Sequence, residues 1–333
     1  MSTTAETMHA VQIAAFGPAE NLVPASRPVP VPGPGQVRVR LGYASVNRSD
    51  LLLRAGGYHT LPQLPHVPGN EGAGVVDAVG PDVADFAVGD RVVAWAAGGG
   101  YAQAMVADAN RRVVRVPDGV GLDVAAALPI AWLTASYTAQ RLAQVGPQDT
   151  VLVYAAASAV GTALVQIAAR AGATVVGVVG SPEKAALVRD LGAALVLQRG
   201  SEPVADAVRT ATGGRGADVV FDLVGGPTFG EALRLAAPLG RVVAIANVAL
   251  APSTIDTRDF YPKNVTVFGF QFTQRQILGW DARPDLATLL AQLADGTYVV
   301  PIDVRFPLAE AASAHRRLES GVTQGKVLLE MPA

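Results

Sequence analysis

The chain has 333 residues, of which 50% are hydrophobic and 16% charged, and its formal net charge is −2 at pH 7. This length is typical of two domains, and the near-neutral charge balance excludes the basic surface that nucleic-acid binding needs. Cysteine is absent. Disulfides, iron–sulfur clusters and thiolate metal sites are therefore excluded, and a cytoplasmic location is expected.

No segment has the features of a targeting or membrane sequence. Met1–Thr7 is short and polar and lacks the basic region of a secretory signal. Apolar stretches such as Ala156–Ala169 contain polar residues and are too short to span a bilayer. Such stretches are typical of buried elements in an α/β protein, and no membrane partner is expected.

The first third of the chain combines short β-branched runs with many prolines and glycines. Val37–Leu41 alternates with a period of two, as a half-buried strand does. Gly74–Gly80 and Asp90–Ala94 are further strand candidates bounded by turn residues. The pattern predicts a small, barrel-like β domain.

Beyond Gly121 the pattern changes. Leu122–Gln144, rich in Ala and Leu, predicts a helix, and from Thr150 apolar strands alternate with helices. The predicted strands are Val151–Tyr154, Ala173–Val179, Leu195–Leu197, Asp218–Asp222, Arg241–Ile245 and Val265–Phe268. Continuous Val and Ile runs separated by helices indicate a parallel sheet covered on both faces.

The C-terminal part returns to mixed elements. Helices are predicted at Pro284–Asp295 and Leu308–Ser320, and strands near Asp303–Arg305 and at Lys326–Glu330. A β-rich start, an inserted α/β unit and this return favour a discontinuous outer domain.

A strand, a turn of small residues and a helix occupy Val151–Arg170, the context in which a helix N-terminus binds a pyrophosphate. Against the G-x-G-x-x-G pattern the turn reads Ala156-Ala157-Ser158-Ala159-Val160-Gly161 and keeps the last glycine alone. Small residues still let the backbone approach phosphates, and the Ser158 hydroxyl can donate to one. The motif alone also fits an ordinary tight turn, but the surrounding αβ series favours a dinucleotide site.

Cofactor choice is decided at the end of the second strand, where an acidic residue selects NAD. Here the strand ends at Gly180, followed by Ser181 and Lys184, and Arg199 ends the next strand. A hydroxyl and two cations suit a 2′-phosphate, which predicts NADPH rather than NADH. The alternative is that the cations are solvated and Ser181 caps a helix; Glu183 also opposes a phosphate if it points inward.

Several segments, in this order and spacing, resemble the zinc-free quinone oxidoreductase branch of the medium-chain dehydrogenase/reductase superfamily. They include Ser45–Asp50, Arg54–Tyr58, Val67–Gly74, Val88–Val92, Leu133–Ala135, Gly240–Val243 and Gly325–Leu328. In zinc alcohol dehydrogenases the segment like Val67–Gly74 carries a metal-binding His where this chain has Asn70. Without that His and without cysteine, neither zinc site of that scaffold can form. The substrates expected are therefore quinones or activated alkenes rather than alcohols.

The resemblance implies an α/β fold with a Rossmann doubly wound parallel sheet and a discontinuous GroES-like domain, with NADPH in a cleft between them. The implied boundaries are 1–123 for the N-terminal part of the GroES-like domain, 124–270 for the Rossmann domain and 271–333 for the C-terminal return. The branch usually has A-x-x-G-x-x-G in its phosphate turn. This chain has Ala155, Ser158 and Gly161 at the matching positions.

The resemblance also assigns residues to the site by matching position. Asn47 contacts the nicotinamide ribose and Tyr58 lines the quinone or enone pocket. The other implied cofactor contacts are Thr134, Asn247, the Phe270 backbone and Lys326. Asn47 also suits a helix N-cap. Tyr58 has the chemistry of a proton donor, but its ordinary pKa near 10 favours a role as pocket wall and hydrogen-bond donor.

The mechanism expected is direct hydride transfer from NADPH to an electrophilic carbon or a quinone oxygen, with a proton from solvent or Tyr58. An enone or enoyl-thioester reductase of a biosynthetic pathway is an alternative. A second alternative is an NADPH-binding structural or regulatory protein with little turnover.

Val265–Phe270 is the last predicted strand of the Rossmann sheet and therefore an edge. An apolar edge strand needs a partner, and this one contains neither Lys nor Pro. The sequence and the resemblance predict a homodimer joined through 265–270.

Overall fold

The structure is a computed structural model, and it describes residues 6–201 and 203–332. Met1–Ala5, within the segment considered above as a targeting signal, lie outside the described residues, as do Glu202 and Ala333. The chain divides into two compact units. The first contains residues up to Ile130 and from Asp281 onward, and the second contains Ala131–Trp280. The predicted boundaries at 123/124 and 270/271 lie before these borders.

The strands follow one another along both units. In chain order they are β1 (Thr7–Ile13), β2 (Leu22–Pro28), β3 (Gln36–Val46), β4 (Glu71–Val79), β5 (Arg91–Trp95), β6 (Ala104–Asp108), β7 (Val113–Arg115), β8 (Thr150–Val153), β9 (Thr174–Val179), β10 (Leu195–Gln198), β11 (Ala217–Asp222), β12 (Ala236–Ala244), β13 (Thr266–Gly269), β14 (Ile302–Pro307) and β15 (Lys326–Glu330).

The α-helices are α1 (Arg48–Ala55), α2 (Leu122–Ala126), α3 (Pro129–Ser136), α4 (Ala159–Arg170), α5 (Ala185–Asp190), α6 (Val204–Ala211), α7 (Pro227–Leu235), α8 (Phe272–Ile277), α9 (Arg283–Ala294) and α10 (Ala311–Glu319). A π-helical segment, Tyr137–Leu142, continues α3. Short 3₁₀ turns occupy Ala19–Asn21, Pro182–Lys184, Thr257–Asp259, Tyr261–Lys263 and Leu308–Glu310.

The first unit is built around β3. This long strand pairs antiparallel with β4, β6 and β15, and its alternate residues Val37, Val39 and Leu41 are buried in the core of the unit. The last strand therefore joins the sheet that contains β3 and β4, with Val327 opposite Val46. This confirms the predicted discontinuous β-rich domain, since the C-terminal return completes its sheet.

The second unit is a six-stranded sheet in the order β10-β9-β8-β11-β12-β13, and all its pairs are parallel. This is the strand order of a doubly wound Rossmann sheet, as predicted. The order reverses between β8 and β11. Ligands of such sheets bind beyond the carboxyl ends of the strands at this point.

The helix after β8 starts very close to the strand end. A Cβ built on Gly161 lies against the Ala155 carbonyl oxygen and 2.8 Å from the Ala156 carbonyl carbon, closer than atoms can approach. Glycine is therefore required at position 161 for α4 to pack against β8, which explains why this glycine is present when the others of the pattern are not.

The predicted helix Leu122–Gln144 is wrong as a single element. It is divided into α2, α3 and the π-helical segment. Pro129 lacks an N–H group and disfavours helical backbone at the residue before it. The break between α2 and α3 follows directly from this residue.

Within the part of the chain that the structure describes, every helix falls short of the length and apolarity required to cross a membrane.

Candidate active site

Asn47 stands at the start of α1, in the segment Ser45–Asp50 singled out by the sequence. Its backbone N–H donates to Asp50 Oδ2 at 2.8 Å. Asn47 as a whole is 9% exposed. The Asp50 carboxylate thus satisfies an N–H group at the helix start. The main chain of Asn47 is therefore held in place independently of the contacts that its side chain makes.

The Asn47 side chain belongs to a buried ring of hydrogen bonds with Glu71 and Lys326. Lys326 Nζ donates to Asn47 Oδ1 and to Glu71 Oε1, both at 2.7 Å. Asn47 Nδ2 donates to the same Glu71 oxygen at 2.7 Å. Glu71 is 0% and Lys326 2% exposed, so the pair is a salt bridge removed from solvent.

Glu71 is also fixed to the main chain. Its second oxygen, Oε2, accepts the Ile130 backbone N–H at 2.6 Å, in the first turn of α3, where N–H groups have no intrahelical acceptor. Both carboxylate oxygens of this buried residue are therefore used. Removing either charge of the Lys326–Glu71 pair would leave the other buried without compensation, which typically destabilises a protein by about 3–5 kcal/mol.

Asp50 is a second buried carboxyl beside this ring. Burial raises its pKa to about 7, with a further contribution from the charge of Glu71, while the Asn47 N–H and the Lys326 ammonium oppose the shift. Asn70 Nδ2 donates to Asp50 Oδ1 at 3.1 Å. Near neutral pH this carboxyl therefore exchanges between its charged and neutral forms.

Tyr101 and His315 lie behind Asp50. The Tyr101 hydroxyl is 2.8 Å from His315 Nε2 and donates to Asp50 Oδ2 at 3.4 Å. Burial lowers the pKa of His315 to about 3 and raises that of Tyr101. Both groups are consequently neutral at physiological pH, and His315 Nδ1 has no hydrogen-bond partner among the described residues.

The donor set here differs from that of a metal centre. Asn70 uses its amide nitrogen toward Asp50 and, at 3.5 Å, toward Ser49 Oγ. Within residues 6–201 and 203–332, no three His, Asp or Glu side chains are grouped so that they could hold a metal ion. Carboxylates near Asn70 are already engaged by Lys326 and by backbone N–H groups.

Tyr58 lies after α1 and is half-buried. Its ring is 4.1 Å from the His59 ring, centroid to centroid, at a tilt of 44°.

In the second unit the predicted phosphate turn lies between β8 and α4. Ser158 is the N-cap of α4, and its Oγ accepts the Gly161 N–H at 3.1 Å. The Ser158 carbonyl accepts the Thr162 N–H. The N–H groups of Ala159 and Val160, in the first turn, have no intrahelical acceptor. These two donors, and the Ser158 hydroxyl hydrogen, are available to an anion such as a pyrophosphate.

Ala155, just before this turn, has a positive φ of 50°, a conformation that favours glycine. An alanine thus occupies a strained backbone position directly before the turn.

The predicted 2′-phosphate residues lie at adjacent strand ends. Gln198 is opposite Val179 in the parallel pair, and the Arg199 N–H donates to the Val179 carbonyl at 2.9 Å. Arg199 is therefore beside the segment that begins at Gly180, as the strand order requires. Gly180 is exposed, and a Cβ on it would meet nothing within 4 Å.

The Ser181 hydroxyl bonds to the Glu183 carboxylate, and this bond is the largest cause of the lowered pKa of Glu183, to which the Lys184 charge also contributes. The side chain of Ser181 makes no capping bond to the turn that follows. A phosphate at this point would have to take the Ser181 hydroxyl from Glu183.

A cavity of about 380 Å³ opens beside Arg199, lined also by Val224, Gly225, Thr228 and Glu231 among others. It lies past the carboxyl ends of β10 and β11. Asp222, at the end of β11, is buried, and its Oδ1 accepts the Val224 and Gly225 N–H groups at 3.0 Å each. The carboxylate thereby fixes the loop that forms one wall of the cavity.

The remaining predicted cofactor residues of this unit are placed by other contacts. Thr134 is buried in α3, and its carbonyl accepts the Thr138 hydroxyl at 2.7 Å. The Phe270 N–H donates to the Ala244 carbonyl at 3.0 Å, and its ring packs 5.2 Å from that of Tyr137. Asn247 is exposed, with its Nδ2 donating to the Ala251 carbonyl at 3.2 Å.

The sequence reasoning missed Glu71 as a site residue. Its only signal in the sequence was an acidic side chain beside Gly, Ala and Val in β4, a strand that also contains Asp77. A charged residue on such a strand needs a buried partner, but the sequence alone does not say which.

We expect the buried Asp50 carboxyl to make stability depend on pH. Between its ordinary pKa of 3.8 and its raised value of about 7, the folded state retains a proton that the unfolded state has lost. Wild-type stability therefore falls as pH rises through this window. Asp50→Asn has no proton to lose and keeps an oxygen for the Asn47 N–H. In urea unfolding, the free energy of unfolding of the variant should rise relative to that of the wild type from about pH 4 to about pH 7.

The exposed Asp82→Asn serves as the matched control, and its difference from the wild type should stay flat over the same window. A difference between Asp50→Asn and the wild type that is independent of pH would contradict this prediction.

Two family models match this chain. The alcohol dehydrogenase GroES-like domain matches residues 33–118, and the zinc-binding dehydrogenase family matches residues 159–293. The first range lies in the β-rich unit, and the second begins at α4 and extends through the Rossmann sheet to α9.

Three relatives extend the comparison. A quinone oxidoreductase of Pseudomonas aeruginosa is 36% identical over 329 residues, which are 96% of this chain and 98% of that protein. The structure of mycobacterial Rv1454c complexed with NADPH has a TM-score of 0.87 and 33% identity, covering 97% of this chain and 99% of that one. A mycocerosic acid synthase-like polyketide synthase of Mycobacterium tuberculosis is 33% identical over 298 residues, 89% of this chain but 14% of the synthase.

The full-length match to a quinone oxidoreductase and the two domain matches confirm the resemblance drawn from the sequence motifs. The chain belongs to the quinone oxidoreductase branch of the medium-chain dehydrogenase/reductase superfamily, and it is an oxidoreductase with a nicotinamide cofactor.

Proposed function

We propose that this protein is a zinc-independent, NADPH-dependent reductase of quinones or activated alkenes. The observation that carries the proposal is the bonding at position 70. An uncharged amide, already donating to Asp50 and Ser49, stands where zinc relatives need a metal ligand. Alcohol oxidation relies on a Lewis acid to stabilise the alkoxide, whereas an electron-poor quinone or alkene accepts hydride without one.

In this proposal NADPH supplies the hydride. The Ala157–Gly161 turn binds its pyrophosphate, with the Ala159 and Val160 N–H groups as donors. Asn47 contacts the nicotinamide ribose, and Thr134, Asn247 and the Phe270 backbone hold the nicotinamide end. These groups bind and orient the cofactor and take no part in the transfer of hydride.

Tyr58 acts on the acceptor side of the proposal. Its hydroxyl donates a hydrogen bond to the acceptor oxygen, where negative charge develops as hydride arrives. One proton then completes the reduction, taken from solvent or from the Tyr58 phenol. A quinone needs no dedicated acid for this step. An alkene needs a proton at its second carbon.

A second candidate is reduction of an enoyl-thioester in a biosynthetic pathway. It is favoured by the 33% identity, across 89% of this chain, to part of a polyketide synthase. The two candidates share the site and the hydride donor and differ in the acceptor. The lack of cysteine fits the reducing cytoplasm in either case.

A matrix of acceptors and cofactors tests the proposal. We expect purified protein to oxidise NADPH with benzoquinone, naphthoquinone or a cyclic enone, and to keep its rate after chelator treatment because no metal takes part. An enoyl-thioester as the preferred acceptor would favour the second candidate. Stoichiometric zinc with loss of rate on chelation would overturn the zinc-independent mechanism. Tight NADPH binding without turnover on any acceptor would favour a structural or regulatory role.

The cofactor preference rests on Lys184 and Arg199. Arg199 lies next to the end of β9 and lines the 380 Å³ cavity, and no acidic residue stands at Gly180 to hold ribose hydroxyls. Lys184 is half-buried in the same segment. Two cations at these positions suit the 2′-phosphate of NADPH.

We expect Lys184→Ala to raise the Michaelis constant for NADPH about tenfold or more and to leave that for NADH nearly unchanged. A charge-assisted bond to a phosphate contributes about 1.5–3 kcal/mol. Arg189→Ala, an exposed cation on α5, is the control and should change neither constant. Equal effects of Lys184→Ala on both cofactors would show that Lys184 does not bind the phosphate.

We also propose that the protein is a homodimer joined through 265–270. Among the described residues β13 pairs with β12 alone, and Val267 is 43% exposed. An unpaired apolar edge of this kind can be satisfied by the same strand of a second chain about a two-fold axis.

Val267→Lys should convert the dimer to monomers, because an edge lysine opposes strand pairing. Val88→Lys, at another exposed valine (67%), is the control and should remain dimeric. The measurement is light scattering after size-exclusion chromatography at micromolar concentration. A monomeric wild type would overturn the proposal.

A further inference from the structure

The salt bridge between Lys326 and Glu71 decides how the Asn47 amide is oriented. An ammonium group only donates hydrogen bonds, and a carboxylate only accepts them. Oδ1 of Asn47 must therefore face Lys326, and Nδ2 must face Glu71, as the three 2.7 Å contacts have it. A reversed amide would oppose donor to donor and acceptor to acceptor in a buried site.

The same bonds leave Asn47 few groups for a ligand. One Nδ2 hydrogen is used by Glu71 and one Oδ1 lone pair by Lys326. The second N–H remains, in a fixed direction. Lys326 has two of its three N–H groups engaged within the ring and is 2% exposed, so it is poorly placed for a direct contact with a large cofactor.

We propose that Lys326 and Glu71 are positioning residues that act on NADPH through Asn47, by presenting its free amide N–H to the nicotinamide ribose. This inference rests on the proposed function. It replaces a direct Lys326–cofactor contact with an indirect one. It also explains why two charges are kept in the interior, where a buried ion pair contributes little net stability compared with apolar residues of the same shape.

A variant that removes both charges together isolates this role. In Glu71→Gln/Lys326→Met, the amide oxygen introduced at position 71 still accepts the Ile130 N–H. The amide nitrogen takes the place of Oε1. The Asn47 amide must then turn its own oxygen toward that nitrogen. Because no charge is left unpaired, we expect a melting temperature close to that of the wild type. NADPH binding, measured by fluorescence titration without an acceptor, should weaken about three- to tenfold, the value of one hydrogen bond.

A double-mutant cycle with Asn47→Ala gives the decisive comparison. If Lys326 and Glu71 act through Asn47, adding Glu71→Gln/Lys326→Met to Asn47→Ala should cause no further loss of NADPH affinity. The Michaelis constant for the acceptor should stay unchanged throughout, which a general loosening of the fold would not permit. If the double variant fails to fold, Glu71→Asp takes its place in the cycle, because it keeps both charges but shortens the reach of the carboxylate toward Asn47.

Additive losses in the cycle would show that Lys326 or Glu71 contacts the cofactor directly and would overturn the inference. Unchanged affinity in the double variant would do the same. A wild type that binds no NADPH would instead overturn the proposed function, and this inference with it.

Discussion

Burial of the Lys326 ammonium is the constraint on which much of the first unit depends. A charge that is 2% exposed must find a counter-charge and acceptors inside the protein. Lys326 finds both, in Glu71 on β4 and in Asn47 at the start of α1. Glu71 in turn holds the first turn of α3 through Ile130. One ion pair thereby fixes two helix starts and two strands. The last strand of the chain is tied to the sheet of β3 and β4 by these polar contacts as well as by strand pairing.

The second unit is governed by a steric constraint instead. Its turn between β8 and α4 has lost the glycines that usually approach a pyrophosphate, yet it keeps Gly161, where a Cβ would collide with the Ala155 carbonyl oxygen. The two other positions of the pattern tolerate Ala156 and Ser158. Glycine is thus present where packing requires it, at Gly161, and absent at the other two positions of the pattern. The Ser158 side chain adds a helix cap in exchange.

The sequence predicted the fold well because its evidence was local. Runs such as Val151–Tyr154 and Ala173–Val179, separated by helices, specify a parallel sheet, and the strand Lys326–Glu330 was predicted with the bounds that the structure has. The predicted long helix from Leu122 is wrong as a single element because Pro129 interrupts the helical backbone at the residue before it. The hydrogen-bonded ring of Asn47, Glu71 and Lys326 could not be predicted from the sequence. Glu71 and Lys326 are 255 residues apart, and only the folded sheet brings them together. The roles assigned to Asn47, Tyr58 and the other site residues remain predictions.

A zinc ion performs two tasks in a dehydrogenase: it polarises the reacting oxygen and it organises the groups around it. In the proposed reaction the first task is unnecessary, because a quinone or an activated alkene is already electron-poor. The second task remains, and an amide such as Asn47 cannot organise itself, since its two ends are nearly the same shape. Fixed charges on either side supply the distinction between the oxygen and nitrogen ends. The neighbouring Asp50, whose pKa lies near 7, is outside this ring of side-chain hydrogen bonds and holds Asn47 through its backbone N–H group instead.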